Sequence, residues 1–287
     1  MIDENLARVQ QLFPEHGESL RRLQLIRTEA MSLPYDDFFE PKSVLDLSGK
    51  TPRLIAVTRP DVLAWTRHMA YSTRVRMLAL EPAIVASVAA GSLTSAMVLL
   101  RSHAETAGLA CLSLLTLRDG TREALVDLIQ RTLFGSALAR GWKPFEDLAA
   151  LFPMSEFHPP TAGSLMDALD RFVAAGVKGN GRYKAAYGLM CEYAHPNSRG
   201  MLGFARSTEE ALGWQIHYSA TEQVGSEGAN MALSLLVEMM RLGYSGSEFL
   251  RNGDVHEAVA GFSIAPPQPN AMRRILTKLM LLEGPPS

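Results

Sequence analysis

Apolar residues recur every three or four positions along most of the chain, and the spacing predicts helices over 3–13 and 19–32. In the second of these, Leu20, Leu23, Leu25 and Ile26 mark the apolar side, with charges between them. The stretch "SLPYDDFFEPKSVLDLSGKTP" then breaks the pattern and reads as a long irregular connection. Helical periodicity resumes at Pro60. Asp61 is placed to cap a helix reaching about Arg76, and a further helix starts near Glu81. The strongest helix follows over 92–117, with Ser92 as its N-cap, and another over 121–135, with Thr121 as its N-cap. Helices are also predicted over 163–174 and from about 182 to His195, where Pro196 disfavours further α backbone. Two alternating stretches, "MLGFAR" and "WQIHYS", predict short strands around a polar link. A long helix over 221–242 and shorter ones over 246–260 and 268–282 complete the chain.

This order predicts an all-α protein, an up-and-down helical bundle with a small β-hairpin-like excursion near 201–219. Residues 1–50 read as an N-terminal helical arm with its irregular connection, and 51–287 as the bundle domain. The bundle core is expected from helices 92–117, 121–135, 182–195 and 221–242.

Composition agrees with a globular chain. Of its 287 residues, 47% are hydrophobic and 20% charged, and the formal net charge is -2. That excludes a disordered chain and a nucleic-acid binder acting through bulk positive charge. The two cysteines, Cys111 and Cys191, sit in apolar helical patterns and read as buried free thiols of a reducing compartment. The opening "MIDENLARVQ" lacks the basic and apolar regions of a signal peptide, so a cytoplasmic protein without a membrane partner is expected. One stretch competes with that expectation. From Pro82 to Leu100 no residue is charged, which is long enough to span a bilayer. Ser87, Gly91, Ser92, Thr94 and Ser95 dilute it, and a break at Gly91–Ser92 would divide it into two shorter helices.

Candidate chemistry lies on two helices. Between Glu81 and Arg118 the only formally charged residues are Arg101 and Glu105, four apart on one helix face and in core-like surroundings. They read either as an internal ion pair that sets helix register or as a site, since a guanidinium offers a planar fork to phosphate or carboxylate. On the second helix Tyr183, Tyr187, Cys191 and His195 recur every four residues as one stripe, with Glu192 three positions before the histidine. At the helix C-terminus the dipole favours protonated His195, and a histidine between charge states can serve as general acid or base. The alternative is that His195 and Asn197 only satisfy the loose carbonyls of the helix end. "KGNGRYK" adds Lys178 and Arg182 as a local basic turn ahead of the helix, without the pattern of a nucleoside-triphosphate loop. The seven histidines and two cysteines show no metal-ligand spacing, and neither a metal nor a cofactor is expected.

"LLRSHAETAGLACLSLL" and, some eighty residues later, "YGLMCEYAHPN" together resemble the HEPN-like helical superfamily, in particular its poorly characterised bacterial members. The resemblance covers about residues 60–245. It implies a four- or five-helix up-and-down bundle, often a homodimer. Many members are metal-independent ribonucleases or toxins, which act on RNA and have antitoxin-like partners; others only bind nucleotides. Active members carry an arginine five to seven residues before the helix-end histidine. Here Gly188, Leu189 and Met190 hold those positions, and Arg182 lies thirteen residues upstream. By this resemblance Arg101 would hold a scissile phosphate from the facing helix, His195 would move protons, and Glu105 or Glu192 would orient it. The first expectation is a polar cluster of Arg101, Glu105, Tyr187, Glu192 and His195 that is structural or binds an anion or nucleotide. The alternatives are a metal-independent ribonuclease and a dimeric scaffold without a ligand site.

Overall fold

Helix α4, Leu93–Asp119, is apolar almost all round, which is the pattern of a helix enclosed by others rather than one lying on a surface. Ala96, Met97, Leu100, Ala104, Ala107, Ala110 and Cys111 are all fully buried. The other helices of this computed structural model are α1 (Ile2–Leu12), α2 (Gly17–Met31), α3 (Val62–Ala89), α5 (Ala162–Val173), α6 (Arg182–Ala194) and α7 (Ser226–Arg251). Two small antiparallel pairs join β1 (Leu45–Asp46) to β2 (Arg53–Leu54) and β3 (Ala205–Glu210) to β4 (Gly213–Tyr218). The structure describes residues 2–31, 45–46, 53–54, 62–120, 124–125, 127–128, 131–132, 158–174, 180–196, 205–210, 213–218 and 225–251. The all-α class and the hairpin excursion are as the periodicity predicts.

The chain divides into two compact units. The first comprises Met1–Tyr35, Tyr71–Leu112 and Ala162–Glu248; the second comprises Asp36–Ala70, Ser113–Thr161 and Phe249–Ser287. Helices α1 and α2 belong to the first unit rather than to a separate arm. Leu6, Val9, Leu20 and Leu23 are buried there, whereas Leu25, expected on the apolar side, is 65% exposed. His16 donates to the Ser226 carbonyl, and Glu15 accepts from the Ser226 hydroxyl at the start of α7. A carboxylate at that end also complements the helix dipole.

Within the first unit, α3 and α4 form a hairpin. The turn between them is a Schellman motif: Ser92 N–H reaches the Ser87 carbonyl at 2.8 Å and Gly91 N–H the Val88 carbonyl at 3.0 Å. Gly91 has φ 74°, a left-handed conformation that a side chain resists. The Ser92 carbonyl then accepts from Ala96 N–H and opens α4, as the N-cap expectation requires. The uncharged run from Pro82 to Leu100 is therefore two helix ends and a turn, and no described helix is long and apolar enough to cross a membrane.

Around α4 the other helices are held close by small residues. At Gly108 a Cβ would meet the Leu165 carbonyl oxygen of α5 at 2.7 Å. At Gly246 of α7 it would meet Ala110 at 3.2 Å, and at Gly243 the Ala107 Cα at 3.1 Å. These pairs advance together along both helices, so α4 and α7 run in the same direction. The bundle expected from 92–117, 121–135, 182–195 and 221–242 is thus corrected in membership. Residues of 121–135 belong to the second unit, and α3 and α5 take part in the first. In the second unit Leu125 and Leu128 are buried, and Arg131 bridges Asp127 at 3.6 Å and the His158 carbonyl at 2.8 Å.

Three predicted boundaries are corrected. One helix runs through the expected gap between Arg76 and Glu81, because Met77, Ile84 and Val85 are buried on one side and that burial outweighs the cost of Pro82 inside the helix. One helix also runs through "GYSG", where the glycines serve the approach to α4 rather than a turn. Ser207 to Glu210, read as a polar link, is paired strand. Asp61, Thr121 and the helix expected over 268–282 lie outside the described residues.

Gly188 offers a contrasting test of glycine's role. It sits inside α6, where an added Cβ would meet nothing within 4 Å and the backbone is permissive. Gly188→Ala should therefore raise stability by about 0.5–1 kcal/mol in urea denaturation, through helix propensity alone.

Candidate functional site

The four-residue stripe predicted on α6 faces inward for three of its positions. Tyr183 is 3% exposed, and its hydroxyl donates to Glu238 of α7 at 2.6 Å. Burial and this carboxylate push its hydroxyl well above the usual phenol range. Its backbone N–H reaches Asp170 of α5 at 3.3 Å, so Asp170 fastens the first turn of α6. Glu238 is itself raised by burial, but hydrogen bonds from Tyr183 and Arg241 more than offset this and leave it below the ordinary carboxylate range.

One turn further, Tyr187 joins Arg101 and Glu105 of α4. Arg101 Nε donates to the Tyr187 hydroxyl at 2.9 Å, and that hydroxyl donates to Glu105 Oε1 at 2.5 Å. The second bond has the length of a charge-assisted O–H···O⁻ contact. Arg101 Nε also lies 3.5 Å from Glu105 Oε1, and the guanidinium stands 5.4 Å from the Tyr187 ring centroid. Burial, then the bond to Glu105, pushes Tyr187 up to about 12. The hydrogen bond to Tyr187 raises Arg101 further. Among the described residues no hydrogen bond reaches the terminal nitrogens of Arg101.

This cluster is not the sealed ion pair that its core-like sequence suggests. Arg101 and Glu105 side chains are 35% and 36% exposed, so the pair stands at the edge of α4's buried surface. Cys191, expected to be buried, is half-buried and lies near Arg101. The order of contacts, Arg101 toward Cys191 and Glu105 toward Tyr187, makes α4 and α6 antiparallel at this seam.

Among the described residues, no hydrogen bond or ion pair joins His195, Glu192 or Arg182 to the cluster. His195 is exposed at the C-cap, with extended backbone and its N–H on the Cys191 carbonyl. Glu192 is also exposed, and neither residue is hydrogen-bonded to Arg101. Arg182 is exposed on the first turn of α6, its guanidinium 5.7 Å from the Tyr183 ring. Asn197 and Lys178 lie outside the described residues. Among the described residues no three His, Cys, Asp or Glu side chains converge as a metal centre would need.

The buried polar groups of the first unit are others. Arg74 is 1% exposed and pairs with Glu248 of α7 at 2.5 Å, with its guanidinium 5.0 Å from the Tyr244 ring centroid. His103 is fully buried against Met240, with Nε2 at 3.1 Å from the sulfur, and burial lowers its pKa to about 3. Glu81 is fully buried and lies 3.6 Å from Arg27 of α2. No local pattern marks these residues in the sequence. The partners of Arg74 and Glu81 lie far along the chain, and only a buried charge's need for a counter-charge hints at them.

Glu81 carries a prediction. Burial holds its carboxyl above the ordinary range, with Arg27 pulling the other way. The folded state thus binds this proton more tightly than the unfolded chain. The resulting stabilisation is complete below the ordinary carboxylate range and is lost as pH rises through the folded value. Glu81→Gln, fixed in the neutral form, should be more stable than the parent at pH 8 and equal to it near pH 4. Urea midpoints at the two pH values check this, and a less stable variant at pH 8 would mean that the Arg27 pair outweighs burial.

No family model, curated protein or solved structure matches the chain.

Proposed function

We propose that the chain is a helical protein of the HEPN-like kind whose Arg101–Tyr187–Glu105 cluster fastens α6 to α4 and presents an oxyanion-binding fork. The observation that carries this reading is the state of Arg101. Its Nε is pinned by Tyr187, while its terminal nitrogens are partly exposed and without a hydrogen bond among the described residues. A guanidinium fixed at one edge loses little freedom when its free end meets a phosphate or carboxylate. The ligand class is an oxyanion or the phosphate of a nucleotide.

A charge-assisted contact contributes about 1.5–3 kcal/mol. A dissociation constant of 1 mM corresponds to about 4 kcal/mol, so one such fork gives affinity in the millimolar range or weaker. Titration of inorganic phosphate and a mononucleotide, followed by amide and arginine side-chain NMR shifts, should saturate for the parent protein. Arg101→Gln should weaken the response at least tenfold, while lowering stability by no more than about 1 kcal/mol, since the lost contacts are partly exposed. Equal responses in the two proteins would sink the reading. Tyr187→Phe removes both hydrogen bonds of the hydroxyl and should cost about 1 kcal/mol of stability, given partial exposure.

A ribonuclease would require a proton carrier at the same phosphate. His195 and Glu192 are not hydrogen-bonded to Arg101, so binding rather than cleavage is the reading supported here. RNA cleavage by the purified protein that disappears in His195→Ala would reverse this preference.

A further inference from the structure

We infer that Glu105 is a specificity-determining residue that lowers the Arg101 site's preference for doubly charged over singly charged oxyanions. The inference rests on the reading of Arg101 as an oxyanion site and goes beyond it to ligand charge. A lone guanidinium attracts a dianion more strongly than a monoanion. Arg101 is not alone. Glu105 Oε1 lies 3.5 Å from Arg101 Nε, and the carboxylate is held in place by the Tyr187 hydroxyl. The pair has no net charge. Tyr187 adds none, and its proton is committed to Glu105, so the hydroxyl does not turn to greet a ligand.

An oxyanion on the terminal nitrogens of Arg101 stands on the far side of the guanidinium from Glu105, roughly 6–7 Å from that carboxylate by the dimensions of the planar fork. At this range, and with screening between that of water and a protein surface, each ligand charge loses about three- to tenfold in affinity to Glu105. A dianion suffers the loss twice and a monoanion once. The preference that Arg101 alone would have for the dianion is thereby reduced. Singly charged oxyanions have two sources, the phosphodiester and the carboxylate, and both share this chemistry.

The test uses two probes that differ by one methyl group. Dimethyl phosphate is a monoanion, and methyl phosphate at pH 8 is a dianion, since its second ionisation lies near pH 6. Both are titrated into the full chain and into Glu105→Gln, which keeps an acceptor for Tyr187. The expected result is a ratio of affinities that moves toward methyl phosphate by about three- to tenfold in the variant. An unchanged ratio would overturn the inference while leaving the oxyanion site standing. Failure of both probes to bind either protein would overturn the site itself. Acetate, run in parallel, separates the sources: binding equal to dimethyl phosphate points to carboxylates, and markedly weaker binding points to phosphodiesters.

Discussion

Glu248→Ala should destabilise the first unit by about 3–5 kcal/mol, the largest effect expected of any single side chain described above. Arg74 is enclosed, at 1% exposure, and Glu248 is its ion-pair partner at 2.5 Å. Its Nε and Nη1 already lack hydrogen bonds among the described residues. Removing the carboxylate leaves a full positive charge in the interior beside the Tyr244 ring, which is no substitute for a counter-ion. Breaking one partner of a buried pair carries this order of penalty, because the remaining charge keeps its desolvation cost. The pair itself contributes far less than its breakage suggests. Arg74→Met combined with Glu248→Leu, which removes both charges and fills the space, should fall within about 1 kcal/mol of the parent or above it. Urea denaturation of the three proteins decides the matter. A mild single variant would mean that water reaches Arg74.

Gly108→Ala is expected to lower stability by up to about 2 kcal/mol although it improves helix propensity. Alanine gains about 1 kcal/mol over glycine inside a helix. Against this, the new Cβ would sit 2.7 Å from the Leu165 carbonyl oxygen and 2.8 Å from its Cβ. The obstacle is backbone, so it cannot swing aside as a long side chain would. α5 must move away from α4, and overpacking of this kind costs about 1–3 kcal/mol or more. Thermal and urea melts of Gly108→Ala beside Gly188→Ala make a matched pair with opposite expected signs. A stabilised Gly108→Ala would show that the two helices approach less closely than described.

Much of the cluster was legible from spacing alone. Arg101 and Glu105 are four apart in a stretch otherwise free of charge between Glu81 and Arg118, and Tyr183, Tyr187 and Cys191 share one edge of another helix. Both patterns concern residues on the same turn or the next, where helix geometry dictates neighbours. His195 fits the same stripe on paper, yet its extended backbone at the C-cap takes it off the helix. Pro196 announced that departure more clearly than the stripe announced a site. The Arg74–Glu248 and Arg27–Glu81 pairs were not legible, because their partners meet only through packing of distant segments. For the same reason a proline and a pair of glycines suggest helix breaks at 77–81 and 243–246 that the fold does not make. Local propensity argues for an interruption, and burial against α4 overrides it.

The pinning of Arg101 by a hydroxyl that also serves Glu105 has a consequence for divergence. Each member of the trio contacts both of the others. A lysine at 101 offers one ammonium where a planar fork was held, and a phenylalanine at 187 removes the hydroxyl that joins the two charged groups. Among descendants of this sequence, positions 101, 105 and 187 should therefore be replaced in concert or not at all. Position 195, tied among the described residues through its backbone bond to Cys191, should vary independently of the trio.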